Sequence, residues 1–221
     1  MERTVTVRGT GKLSVKPDLI TVSLTLTNKS KDYSEALAGA DKQLISLRGE
    51  IVRAGFEEDS LKTASFDVRT EYASVRGSDG MYREEFAGYV CEHGMRLDFP
   101  FDTEKLAKVL GAVSRSVAEP RLYISFSVKD KDAVSDKLLA SAAKNARTRA
   151  RLLAEASGAE LGELVSITYD WRDLNFTSPT VYGRNMMKAA CEAEDCSAGF
   201  SGVTPQDIDL SDSAVFIWEL A

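Results

Sequence analysis

One histidine, three cysteines and no long apolar run set the first limits on this chain of 221 residues. With His93 alone, most catalytic triads and most multi-histidine metal sites are excluded at once. Three cysteines are too few, and odd in number, for a disulfide framework in a domain of this size. Cys191 and Cys196 could pair under oxidising conditions, but free thiols are the expected state. No apolar stretch approaches the roughly 20 residues that span a bilayer, so no transmembrane segment is expected. Nor is there an excess of positive charge. The formal net charge is -6, which argues against a nucleic-acid partner. The opening residues alternate like a strand and carry no basic start followed by an apolar block. The expectation is a cytoplasmic protein, or a cell-envelope one if a leader precedes this sequence.

What is present is ordinary globular material, 43% hydrophobic and 28% charged. The residues from Arg3 to Val15 read as a strand in which Gly9 and Gly11 suggest a bulge or bend. Ile20, Val22, Leu24 and Leu26 alternate with polar residues as a half-buried strand. Asp32 and Glu35 open a helix with Leu37, Ala40, Leu44, Leu47 and Ile51 on its buried stripe, and Gly55 is placed to end it. A strand follows from about Thr63 to Tyr72, with Phe66 and Val68 inward. Arg76-Gly-Ser-Asp-Gly80 is turn chemistry that returns the chain into a long strand. There Tyr89, Cys91, His93, Met95, Leu97 and Phe99 share one face. Asp102 or Thr103 caps a second helix carrying Leu106, Val109, Leu110, Val113 and Val117. Leu122, Ile124, Phe126 and Val128 form the next strand.

The clearest object is the alanine-rich helix from Asp132 to Gly158. Leu139, Ala143, Ala146, Ala150, Leu153 and Ala154 mark its small apolar stripe, and Lys137, Lys144, Arg147 and Arg151 mark a basic face. A strand with Val165, Ile167, Tyr169 and Trp171 on one side follows. The segment 173–202 shows no sheet period, although Met186 to Glu194 could form a short helix. The chain closes in a last strand through Val215, Phe216, Ile217 and Trp218. Strand–helix–strand order appears twice. The fold class is therefore α+β: antiparallel or mixed sheets with helices on one face. The chain reads as a single domain over 1–221, divisible into two interlocked halves at about 1–75 and 82–221.

Candidate chemistry is thin. Cys91 and His93 point the same way and could form a two-point metal clamp, but its remaining ligands would have to come from Cys191, Cys196 or acidic residues. A core-face histidine explains the same pattern. As a Cys–His nucleophile the pair lacks an orienting third group. Gly9-Thr-Gly11-Lys12 resembles the end of a phosphate loop but is followed by Leu13 in a strand context. Asp207, Asp209 and Asp212 resemble a calcium loop whose turn glycine and closing glutamate are missing. No catalytic residue, metal or cofactor is assigned. The basic face Lys137, Lys144, Arg147 and Arg151 is a candidate for a phosphate or an acidic partner surface, and otherwise a solvated helix face.

Several segments taken together resemble the SIMPL-domain family. These are Val7-Arg-Gly9-Thr-Gly11 with Pro17-Asp18, Ser34-Glu35-Ala36, Leu61-Lys62-Thr63 and Gly88-Tyr89. The alanines of the long helix, Gly158, Leu161-Gly162 and Thr204-Pro205 with Ile208 complete an ordered set over nearly the whole chain. The resemblance implies an α+β fold, self-assembly into large oligomers, and relatives exported to the cell envelope with links to stress protection. It supplies no catalytic residues. The function expected is non-enzymatic and stress-related, through self-assembly and partner contacts. The alternative is a module binding a small anionic ligand or acidic partner on the basic helix face. A homo-oligomer is expected, with a protein partner. Phe216 and Trp218 on an unpaired terminal strand are the expected self-contact.

Overall fold

The computed structural model describes residues 3–76, 81–170, 173–180 and 203–221. The chain is α+β, with two sheets and three α-helices among the described residues. Two compact units divide it, the chain leaving the first after Asp18 and re-entering it at Ser127.

The first unit holds β1 (Thr4–Val15), α3 (Lys131–Ala156), β6 (Leu161–Tyr169) and β7 (Ile208–Leu220). Its sheet runs β1-β7-β6, and both pairings are antiparallel. One face of β7 carries Leu210, Ala214, Phe216 and Trp218 inward at alternate positions. The helix α3 meets this face with Val134, Leu138, Ala142, Ala146, Ala150 and Ala154, one residue every four. That corrects the stripe expected from the sequence: Leu153 is half exposed, and the buried row begins one position earlier, at Leu138 and Ala142. A strict four-residue step drifts around a helix of 3.6 residues per turn, so the stripe winds instead of running straight.

The glycines of β1 have a different purpose from the one expected. Their strand is unbroken, pairing with β7 in continuous register from Thr4 to Val15. No bulge or bend interrupts it. A Cβ on Gly9 would land on the Ala142 carbonyl oxygen and the Ala146 methyl, and one on Gly11 on the Leu138 carbonyl oxygen. Both are hydrogen because the backbone of α3 lies directly on the strand. The helix then closes in a Schellman motif. Gly158, at φ 71°, donates its N–H to Glu155 and Ala159 donates to Ala154.

The second unit holds β2 (Leu19–Ser30), α1 (Tyr33–Arg53), β3 (Leu61–Arg76), β4 (Tyr82–Pro100), α2 (Thr103–Arg115) and β5 (Arg121–Ser127). Its sheet runs β3-β4-β2-β5. Asp32 caps α1 by accepting from the Glu35 N–H, and Asp102 caps α2 by accepting from Glu104 and Lys105. Ile20, Val22, Leu24 and Leu26 of β2 join Met95, Leu97 and Phe99 of β4 under Leu47, Ile51, Leu106 and Leu110 of the helices. This is the larger core. Val117 lies beyond the end of α2 and is almost fully exposed, so it does not belong to the buried stripe. Phe66 is likewise not inward: it is 54% exposed, because β3 is an edge strand.

Candidate functional site

Three places follow from this frame: the Cys91–His93 pair, an aromatic row on the β3–β4 hairpin, and a groove beside α3.

Cys91 and His93 sit on the core face of β4 and are both buried. Burial, with Asp41 and Asp67 nearby, pushes the Cys91 thiol up from its ordinary value. Burial pushes the His93 imidazole down; Arg48 adds to this and Asp41 opposes it. The thiolate and the imidazolium are thus both disfavoured, the reverse of what a thiolate–imidazolium nucleophile needs. His93 Nε2 lies 2.9 Å from Thr63 Oγ1, and Phe66 packs edge-on to the ring at 5.2 Å. The ring reads as a core side chain with one polar contact. Among the described residues no three His, Cys, Asp or Glu side chains converge as a metal site would require. Cys191 and Cys196, the proposed further ligands, lie outside the described residues, as do Trp171, the turn at 77–80 and the Met186–Glu194 segment. The three aspartates of the calcium-like stretch do not converge either. Asp209 accepts from Ser14 Oγ, while Asp212 is buried and accepts from the Tyr169 hydroxyl at 2.7 Å.

A pH dependence follows from His93. A histidine whose folded pKa is depressed stabilises the fold while neutral. That contribution is complete above its ordinary value of 6.5 and is lost as pH falls through the lowered one. Unfolding free energy measured against pH should therefore fall more steeply on acidification in the wild type than in His93→Gln. Parallel curves would refute it.

Tyr33 at the start of α1 and Tyr89, Phe86 and Tyr72 on the hairpin form a continuous row of rings. Their centroids are 5.4, 5.2 and 6.1 Å apart, each pair edge to face. A register shift between Glu71 and Tyr72 brings Tyr72 opposite Phe86. Gly88, at φ 148°, lies where a Cβ would meet the Ser30 carbonyl. Three of the four rings are in solvent: Tyr72 is 57% exposed and Tyr33 and Phe86 are exposed too, while Tyr89 between them is half-buried. Lys29–Glu71 and Arg69–Glu92 ion pairs, at 2.6 and 2.9 Å, lie on the opposite face of the same strands. Both are solvent-exposed and contribute little stability. The row was not anticipated from the sequence. The density of tyrosine and phenylalanine on both sides of a glycine-rich turn was the available signal.

Beside α3 none of the described residues covers the sheet of the first unit at β6. The helix sits over β1 and β7, and β6 has seven of its nine residues exposed. A groove of about 920 Å³ results. Its helix wall carries Arg147 and Arg151, its far wall Leu164 and Ile167, and its floor Phe216 and Trp218. The two aromatic rings stack at 5.4 Å, 15° from parallel. Of the four basic candidates, Arg147 and Arg151 line this groove, whereas Lys137 and Lys144 are exposed elsewhere on α3. Neither arginine has a carboxylate partner among the described residues.

The expected self-contact strand needs correction. β7 is paired on both sides, by β1 and by β6, so it offers no free edge. Phe216 and Trp218 are each only 6% exposed, packed against Ala146 and Ala150. At β1, α3 itself covers the outer edge. Thr10 N–H donates to Asn145 Oδ1 at 3.1 Å, and Arg149 donates to the Arg8 carbonyl at 3.3 Å.

Comparison with known proteins places these features in context. The SIMPL family, described as "Protein of unknown function (DUF541)", matches residues 5–218. A "26 kDa periplasmic immunogenic protein" of Brucella abortus (strain S19) is 22% identical over 167 residues, 74% of this chain and 65% of that protein. The chain thus matches just under two thirds of that relative's length. A protein of the same name from Brucella melitensis biotype 1 aligns to the same extent. "Uncharacterized protein YggE" of Edwardsiella ictaluri is 24% identical over 166 residues, 75% of this chain and 67% of that protein. These findings overturn the cytoplasmic expectation: the Brucella relatives are named as periplasmic. The pattern of the opening residues, which belong to a core strand, was no guide to compartment.

Proposed function

Because the chain belongs to the SIMPL family, of unknown function, across residues 5–218, we propose that it acts as one SIMPL domain of the cell envelope, without catalysis, through self-assembly and partner contacts. The exposed aromatic row Tyr33–Tyr89–Phe86–Tyr72 carries this reading. Exposed clusters of aromatic rings are costly in water and are enriched where proteins meet. Three of its rings lie on the β3–β4 hairpin, whose outer strand, β3, has no strand partner on its far side among the described residues. Such an edge can add main-chain hydrogen bonds to the burial of rings. A second copy of the chain supplies both at once.

Sedimentation and light scattering test it. The wild type should be larger than a monomer at micromolar concentration, and Tyr72→Ser with Phe86→Ser should shift it towards monomer. Both side chains are exposed, so melting of the variant should change little, by about 0.5 kcal/mol per site. A strict monomer at high concentration, or an unchanged assembly in the variant, refutes the reading.

A second reading is an anion-binding face on α3. It is favoured by Arg147 and Arg151, which share the groove wall without a carboxylate partner among the described residues.

A further inference from the structure

We infer that the groove between α3 and β6 binds a single-chain amphipathic carboxylate, with its head group on Arg147 and Arg151 and its apolar chain over Leu164 and Ile167. The inference deepens the second reading above and is independent of assembly.

Four observations carry it. First, the volume of about 920 Å³ falls within the roughly 300–1,000 Å³ of small-molecule sites. Secondly, the groove is built from two materials. Phe216 and Trp218, each 6% exposed, form its buried floor, and Leu164 and Ile167 beside them supply the open apolar surface at 47% and 55% exposure. Apolar side chains of that size gain by being covered. The register sets this row: Leu164 stands opposite Trp218 and Ile167 opposite Phe216, so all four share one face of the sheet, which α3 covers over Phe216 and Trp218 and leaves exposed over Leu164 and Ile167.

Thirdly, Arg147 and Arg151 are one turn apart on the helix, about 6 Å along its axis. They overlook the row from one side. Guanidinium groups hold carboxylates through paired, charge-assisted hydrogen bonds. Fourthly, Glu155, Glu160 and Glu163 line the groove near the turn from α3 into β6. Glu155 stands one helical turn beyond Arg151, so the three carboxylates repel an anionic head from that end and favour the Arg147 side of the wall. A neutral apolar ligand would leave the arginines unused, and a small anion would leave the row uncovered. Only a molecule with both parts satisfies the groove.

Calorimetric titration of the full chain tests this, using dodecanoate below its micelle concentration, dodecanol as tail alone and acetate as head alone. Saturable binding of one dodecanoate per chain is expected, with dodecanol at least about tenfold weaker, since a charge-assisted pair exceeds 1.4 kcal/mol. Acetate should give no measurable heat. Arg147→Ala with Arg151→Ala should weaken dodecanoate by about tenfold or more, and the double lysine variant should recover part of the loss. Leu152→Ala, on the solvent side of the helix, should leave binding unchanged. No saturable dodecanoate binding overturns the proposal, as does equal affinity for dodecanol or indifference to the arginine variants. Acetate binding as tight as dodecanoate would retain the anion-face reading and overturn the amphipathic one.

Discussion

Gly11→Val is expected to destabilise the protein by about 3 kcal/mol or more, at the upper end of overpacking substitutions. The added Cβ would fall on the Leu138 carbonyl and within 3.0 Å of the Ala142 amide nitrogen. Those are backbone atoms of α3, which cannot rotate aside as a side chain would. Gly9→Val meets the next turn of the same helix and should behave alike. The only relief is to lift α3 off the sheet, which exposes the alanines and Phe216 packed beneath it. Gly49→Ala supplies the contrast. Gly49 lies inside α1 with nothing within 4 Å of its added methyl. It should gain about 0.5–1 kcal/mol from helix propensity and a less flexible unfolded chain. Urea unfolding of the three variants decides the matter. A loss under 1 kcal/mol at Gly11 would mean that the close helix–strand contact does not constrain the fold.

Phe126→Ala should cost about 3–5 kcal/mol, the usual range for emptying a buried phenylalanine site. Phe126 has no exposed surface, and its ring lies 6.1 Å from that of Phe101. It belongs to a core that draws on β2, β4, α1 and α2, with Leu61 of β3 and Leu122 and Ile124 of its own strand. Removing the ring leaves a void that several elements would have to move together to fill. A melting temperature within a degree or two of wild type would show that the core collapses around the vacancy.

These residues also mark what the sequence could and could not disclose. Alternation at Ile20 to Leu26 and at Cys91 to Phe99 was legible because pleating alone sends every second side chain inward. Asp32, Asp102, Gly55 and Gly158 were legible because helix ends use a few side chains for fixed reasons. Phe66 misled because alternation reports the face of a sheet, not how far the helices reach across it. That reach depends on strand order, and β3 came out at the edge. Gly9 and Gly11 misled for a related reason: the atoms that exclude a side chain there belong to a helix more than 120 residues away in sequence.

The candidate sites show the same division. Arg147 and Arg151 could be read from the helical period, and Phe216 and Trp218 from the closing strand. Their convergence on one groove could not, since it requires β7 to lie between β1 and β6. The aromatic row needed the displaced register at Glu71 and Tyr72, which no local pattern announces.

The unequal borders of the first sheet have a consequence for how far association can run. Stacking copies strand upon strand into a fibre demands two receptive flanks on every subunit. Here Asn145 and Arg149 occupy hydrogen-bonding positions along one flank, at Thr10 and Arg8, while the flank at β6 stays available. Two molecules joining at β6 would therefore each present outward a flank partly occupied by α3, which disfavours growth by that route beyond a pair.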